Sequence, residues 1–311
     1  MTNDTIGVDI SKATLDVHRL SDGLTAHFKN NKSGFLKLKY WLSDTQVTRI
    51  VYEPTGAYHR DFEMSLGVTY PMVKVNPLHA RRFAQARGVR AKTDRVDAQM
   101  LAIMGDSFSL EPQLLASKKQ RALKELQTLR MALLKDRTRN LNRQKPLKLA
   151  ISKRQIQAYL NLIERQLKDV NASIQKLLSD DPTMACARDI LCSIPELSKV
   201  SAAALLIEMP ELGTLSNKQA ASLAGLAPMS RQSGKWNGKA FIQGGRKHLR
   251  NALYMPALVA ARHNPDLKAK YTAFVAAGKP KKVALSALMR KLIILANILI
   301  KQDRKWCENM T

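Results

Sequence analysis

The sequence predicts an α/β N-terminal domain followed by two mainly helical segments, and three observations carry that prediction. Short apolar stretches of period two alternate with amphipathic helical stretches as far as about Asp106. Between Pro112 and Asp180 there is no glycine, few strand formers occur, and leucines recur at helical spacing at Leu123, Leu126, Leu129, Leu133 and Leu134. Beyond Thr183, helical stretches are interrupted by a single glycine-rich, basic segment, Gly225 to Leu253. The expected organisation is therefore residues 1–106, 112–180 and 183–311.

Thr5 to Ser11 reads as the first strand. Ile6, Val8 and Ile10 point to one face, while Gly7, Asp9 and Ser11 point to the other. A carboxylate in a central strand is costly to desolvate without a compensating cation or hydrogen bonds, so Asp9 needs a partner, and a metal ion is one candidate. Thr14 to Leu20, Leu24 to Asn30, Ile50 to Glu53 and Met72 to Val75 are the remaining strands. Helices are expected over Ser33 to Leu42, Ala57 to Leu66, Pro77 to Ala86 and Asp94 to Met104. Two hairpin-connected strands after the first, then a helix and another strand, is the order of an RNase H-like sheet.

Glu53 ends an apolar strand just before Pro54 and Gly56, in the kind of position where sheets bind ligands. Asp94 and Asp97 lie three apart and share a helix face, which Leu101 and Met104 continue. Together with Asp9 these acids could hold one or two divalent cations. Each also has a plainer explanation. Asp94 and Asp97 suit the first turn of any helix, and Glu53 could be a solvated strand end. The density of bases nearby, His79, Arg81, Arg82, Arg87, Arg90, Lys92 and Arg95, exceeds what a cap requires and would bring a phosphate backbone to the acids.

The formal charge of the 311-residue chain is +26, with pI about 10.2, which points to a polyanionic partner, nucleic acid first. Thirteen Lys and Arg, among them Arg130, Arg137, Arg139 and Arg143, face only Glu125 and Asp136 between Lys118 and Arg154. A solvated helix face normally mixes signs, so this bias favours phosphate contacts. Pro146 should end the first long helix, and Arg154 to Leu178 supplies a second able to pack back as a basic, coiled-coil-like hairpin. Aromatics are scarce there, which favours duplex or backbone recognition over base stacking. The longest apolar run, Val283 to Ile300, is broken by Arg290 and Lys291 and reads as a core helix rather than a membrane span. With a polar N-terminus and no signal pattern, a cytoplasmic protein without membrane attachment is expected. Cys186, Cys192 and Cys307 read as reduced core residues, with neither disulfide nor zinc site.

The third segment opens with ILCSIPELSKVSAAALLIEM, a helix, turn, helix layout like a helix-hairpin-helix. Glu196 and Ser198 occupy the places where such turns normally carry glycine, so a packing role is as well supported there as a grip on a nucleic-acid backbone. In the following segment, glycines interleave with Arg231, Lys235, Lys239, Arg246, Lys247 and Arg250, which makes a loop suited to phosphate. Ser233, followed by Gly234, could attack a phosphodiester, although most loop serines only cap turns and no base adjoins it.

The ordered segments GVDISKATLD, YEPTGAYH, KTDRVDAQMLA and GLAPMSRQSG, followed by IQGGRKHLR and MRKL, resemble the DEDD transposases of the insertion-sequence 110 family over nearly the whole chain. The Piv-type DNA invertases share the pattern. The resemblance implies a RuvC-like N-terminal domain with Asp9, Glu53, Asp94 and Asp97 as its metal-binding tetrad, and Ser233 as the nucleophile of a C-terminal transposase domain. It also implies Mg2+, a 5′-phosphoserine intermediate and donor and target DNA as substrates. A structured noncoding bridge RNA as guide, and an active site composite between protomers of a dimer to tetramer, belong to the same resemblance. The non-glycine turn at Glu196 and Ser198 departs from it. Competing readings are a RuvC-like nuclease that uses water with Ser233 as a turn residue, a nonenzymatic nucleic-acid-binding protein, and an actin-like ATP-binding fold. The charge and the lack of a second glycine-rich phosphate loop oppose the last.

Overall fold

The computed structural model describes residues 3–89, 93–113, 115–234 and 236–307, which form two compact units, Met1–Ala116 and Ser117–Thr311. The first is built on a five-stranded mixed sheet of β1 (Asn3–Ile10), β2 (Thr14–Arg19), β3 (Thr25–Lys29), β4 (Gln46–Tyr52) and β5 (Met72–Lys74), in the order β3-β2-β1-β4-β5. β1 pairs antiparallel with β2 and parallel with β4, so it is central, as its apolar alternation predicts. β4 starts earlier than the apolar run at Ile50, because Gln46, Val47 and Arg49 still pair with β1 across a register shift at Asp4/Thr5. Helices α1 (Lys32–Trp41), α2 (His59–Leu66), α3 (Pro77–Ala86) and α4 (Asp94–Ser107) complete the unit.

The two faces of β1 are used differently. Ile6, Val8 and Ile10 join Leu15 and Val17 of β2 and pack against Phe35 and Leu38 of α1 and Phe62 and Leu66 of α2. Burying each such side chain is worth roughly 1.5–3 kcal/mol, so this layer fixes the register of β1. The other face belongs to α4, which buries Ala98, Leu101, Ala102 and Gly105. A Cβ on Gly7 would lie 1.9 Å from the Ala98 carbonyl oxygen and 2.5 Å from the Ala102 nitrogen, so only glycine admits this helix. One on Gly105 would lie 2.4 Å from Val51 Cγ2 and 3.2 Å from Thr5 Cγ2. Thr5 thus meets the end of α4 and Gly7 its middle. The helix runs back along β1, and its first turn lies toward the strand's C-terminal end.

In the second unit, α5 (Lys118–Gln144) and α6 (Ala150–Ser179) form the expected helical hairpin around Pro146, opened by a capping box at Ser117. Leu123, Leu133, Ile163, Leu167, Val170 and Ile174 zip it together, and Ala203 joins that core. α7 (Pro182–Cys192), α8 (Lys199–Glu208), α9 (Asn217–Leu223), α10 (Lys247–His263), α11 (Pro265–Ala276) and α12 (Lys281–Lys301) follow. α12 is long and apolar enough to cross a membrane, yet it carries Leu288, Leu292, Ile293, Ala296 and Leu299 into the core of this unit. Cys186 and Cys307 are exposed rather than in the core, and Cys192 alone of the three packs against it. Cys186 lies near the start of α7, whose buried residues Ile190 and Leu191 are in its last turn, and Cys307 lies beyond the end of α12.

Between α9 and α10 the glycine-rich segment is not a loop. It forms a β-ribbon of β6 (Pro228–Ser233) and β7 (Trp236–Ile242), turning at Gly234 with φ +54°. Neither strand carries the alternation of a half-buried strand, because no side chain of either is buried.

Gly7→Ala should destabilise the N-terminal unit by at least about 2 kcal/mol, since the colliding atoms are backbone and cannot rotate away. Urea unfolding followed by circular dichroism, with an unchanged m-value, measures this.

Candidate active site and nucleic-acid interface

Asp9 is half-buried on the face of β1 that Gly7 presents to α4, two residues nearer the strand's C-terminal end. The parallel register Val8↔Tyr52 brings Glu53, the first residue after β4, level with Asp9. Val51 faces α4, and the alternation carried on by two residues puts Glu53 on the same side. Asp94 and Asp97 occupy the first turn of α4, capped by Thr93, whose hydroxyl accepts from the Val96 N–H at 3.3 Å. Asp97 is half-buried and Asp94 exposed. All four acids therefore belong to one end of the sheet. Among the described residues, no three His, Cys, Asp or Glu are gathered into a ready metal cage.

The turns around this end are tied together. The Asn30 side-chain amide donates to the carbonyls of Ser11 at 2.8 Å and Tyr58 at 3.1 Å, joining the turn after Asp9 to the one after Glu53. The Ser11 hydroxyl accepts from the Thr14 N–H at 2.9 Å and closes the β1–β2 hairpin. That hairpin sets Asp16 directly opposite Asp9. Two carboxylates so placed repel, which a nearby cation relieves; Asp16 is also bonded to His27 Nδ1 at 3.0 Å. Asp16 is the residue that reading the sequence missed, although counting back from the Ser11 turn would have found it.

His18, opposite Gly7, is buried, and its Nδ1 has no hydrogen-bond partner among the described residues. Burial, then the Arg95 charge, hold its pKa below the ordinary value. On the other side of β4, Lys74 donates to Glu63 at 2.9 Å. Burial and Glu63 push the Tyr52 hydroxyl far up, and burial, then the Lys74 charge, hold the His59 pKa below its ordinary value. This network braces the strand that ends at Glu53.

The bases expected to meet nucleic acid divide into two groups. Arg81, Arg82 and Arg87 lie exposed on and just after α3, and Arg143, Arg231 and Lys247 are exposed in the second unit. Others are engaged by side chains of the second unit, Arg137 and Arg139 while their side chains stay exposed. Arg130, its pKa lowered by burial, donates to Asn171 at 2.8 Å, and Arg137 pairs with Glu164 across the α5–α6 hairpin. Arg139 stands 3.5 Å from Asp136. Arg246 makes a two-pronged bond to Glu211, both at 2.7 Å, and donates to the Glu208 carbonyl at 2.7 Å, so it anchors the base of the ribbon. That hydrogen bond holds the Glu211 carboxyl below its usual range. Arg90, Lys92 and Lys235 lie outside the described residues.

The turn between α7 and α8 is also occupied internally. Buried Glu196 accepts from Asn264 Nδ2 at 2.8 Å, and the Ser198 hydroxyl caps α8 by accepting from the Ser201 N–H at 3.2 Å. Ser233 is the last residue of β6, exposed at the tip of the ribbon and paired in register with Trp236.

An acid-rich sheet end crossed by a helix and a basic, helical second unit define a nucleic-acid-processing protein. Residues 6–147 match the family model described as Transposase (DEDD_Tnp_IS110), and residues 188–272 match Transposase IS116/IS110/IS902 family. Over 323 aligned residues the chain is 30% identical to the pilin gene-inverting protein of Moraxella lacunata and 29% to that of Moraxella bovis, covering 98% of each chain in both cases. The chain belongs to the IS110 family of transposases and is a DNA transposase/recombinase related to the pilin gene inverters.

Because the fold lowers the pKa of His18, the unfolded chain takes up its proton first on acidification. Stability should fall as the pH drops below about 6.5, and the fall should be shallower in His18→Gln, as read from urea midpoints between pH 7.5 and 5.5. Replacing Arg81 and Arg82 together by Ala should weaken DNA binding without changing sequence preference. The slope of log Kd against log salt should drop by roughly 1–2.

Proposed function

We propose that the chain cuts and exchanges DNA strands using a divalent cation, Mg2+, held by Asp9, Glu53, Asp94 and Asp97, with the Ser233 hydroxyl as nucleophile. The observation that carries the proposal is the strand-end geometry: Asp9 and Glu53 level on adjacent parallel strands, with the first turn of α4 drawn down toward them over Gly7. Hard carboxylate oxygens from three elements suit Mg2+, and its usual water ligands would complete a shell that these residues leave open. On this reading the N-terminal unit is a RuvC-like domain of the RNase H-like class, and its sheet order supports that.

When bound, the cation supplies Lewis-acid stabilisation to the phosphate oxygens. Ser233 stands at the end of an exposed ribbon, where a phosphodiester can reach it. Its Oγ attacks phosphorus and loses its proton, and the bond from phosphorus to the 3′ oxygen breaks. The 5′ end is then held as a phosphoserine ester, and the leaving oxygen takes a proton to become a 3′ hydroxyl. Attack by the 3′ hydroxyl of the exchanged strand on that ester restores the phosphodiester and the serine. Arg231, two residues before Ser233 on the same ribbon face, offers charge to the phosphate at each step.

The family resemblance extends the proposal to donor and target DNA aligned by a structured noncoding guide RNA, bound in part by exposed bases of the α5–α6 hairpin such as Arg143. It extends it also to a homo-oligomer, dimer to tetramer, in which Ser233 of one protomer serves the acids of another. The inverter relatives, aligned over 98% of their length, favour DNA inversion as the outcome, and the second reading is an invertase that uses no guide. RNA extraction from the purified protein separates the two.

Asp9→Ala and Ser233→Ala should both keep DNA affinity within a few-fold and lose recombination by more than about 1000-fold. A denaturant-stable protein–DNA adduct should form with the wild type and not with Ser233→Ala. Normal recombination by either variant refutes the role assigned to that residue.

A further inference from the structure

The ribbon that carries Ser233 is unusual in having no buried side chain in either strand. A free two-stranded ribbon is marginally stable in water, so its exposed apolar groups call for an occupant. Ser233 and Trp236 are its terminal register pair, and Arg231 pairs with Gly238. Paired positions, and positions two apart, share a face. Ser233, Trp236 and Arg231 therefore point the same way.

Trp236 is 59% exposed. Its ring lies against the backbone of Gly238, where a Cβ would come within 2.4 Å of Trp236 Cη2, so glycine there gives the indole its seat. Arg231 in turn lies over the Phe241 ring at 4.5 Å, which presents its guanidinium in a fixed orientation. The tip of the ribbon thus carries one large π surface beside a hydroxyl, with a cation further along toward its root. Between Glu211 and Asp266 the sequence holds no acidic residue, while lysines and arginines recur throughout. This charge selects a polyanion over a protein surface of ordinary composition. A two-stranded ribbon is also narrow enough to enter a DNA groove.

We propose that Trp236 stacks on a base flanking the scissile phosphate and takes it out of the duplex stack, so that the sugar-phosphate can turn toward Ser233. The role rests on Ser233 being the nucleophile. Trp236 is a positioning residue in this scheme: it forms no bond and moves no proton. The ribbon supplies the wedge and the attacking group from opposite ends of one register pair, which couples unstacking to reach.

The test uses the full chain and a duplex spanning the junction between the gene's own element and its flanking DNA, with 2-aminopurine placed in turn at each base beside the cleavage point. Binding of wild-type protein, and of Ser233→Ala, should raise the fluorescence of one of these bases several-fold. Trp236→Ala should abolish the rise and slow strand cleavage on the order of 10-fold to 100-fold, with Kd little changed, while Trp236→Phe restores part of both. A full rise and normal cleavage in Trp236→Ala overturn the inference. Loss of the rise together with loss of self-association in sedimentation also overturns it, since the ribbon would then dock on a second copy of the chain. If Ser233→Ala still recombines DNA, the nucleophile assignment fails, and the fluorescence arm reports on unstacking independently of it.

Discussion

The contact between the backbone of β1 at Gly7 and the backbone of α4 at Ala98 and Ala102 is the constraint on which the N-terminal unit depends. A helix normally stands off a sheet by the length of two interlocking side chains. Here one partner has no side chain and the other presents alanines, so the helix sinks onto the strand. Its direction then follows from Gly105 meeting Thr5 and Val51, and that direction carries the first turn of α4 to the end of the sheet where Asp9 and Glu53 emerge. The opposite face, filled by Ile6, Val8 and Ile10 against α1 and α2, prevents β1 from slipping in response.

The second unit spends its charge in two ways. Arg130 and Arg246 stabilise internal joints, between α5 and α6 and at the root of the ribbon, and Arg137 pairs with Glu164 on the exposed side of the hairpin. Arg143, Arg231 and Lys247 remain at the surface. A positively charged protein of this kind must bring together segments that repel one another, and pairing some arginines with Glu164 and Glu211 lowers that cost. The exposed remainder provides a salt-dependent, sequence-independent attraction for phosphate.

Much of this was legible in the sequence. Period-two alternation at Thr5 to Ser11 locates the central strand, leucine spacing locates the α5–α6 hairpin, and Pro146 marks its bend. The ribbon was not legible as strands, because alternation arises only where one face is buried, and here neither is. The role of Gly7 was hidden for a related reason: a glycine in a strand announces a close approach without naming the partner, which lies some ninety residues on. Arg246 was read as a phosphate ligand because sequence shows a charge but not the carboxylate folded back on it from Glu211. Asp16 escaped notice because cross-strand pairing depends on the exact turn at Ser11.

The proposed mechanism requires the strand ends and the start of α4 to form one cation site. Anomalous diffraction from crystals of the protein soaked in Mn2+ tests it most directly, since Mn2+ takes the same oxygen ligands as Mg2+ and is located by its own scattering. A single strong peak is expected at roughly 2.0–2.3 Å from carboxylate oxygens of Asp9, Glu53 and at least one of Asp94 and Asp97. Manganese bound elsewhere, with those carboxylates making no contact to it at saturating concentration, would contradict it.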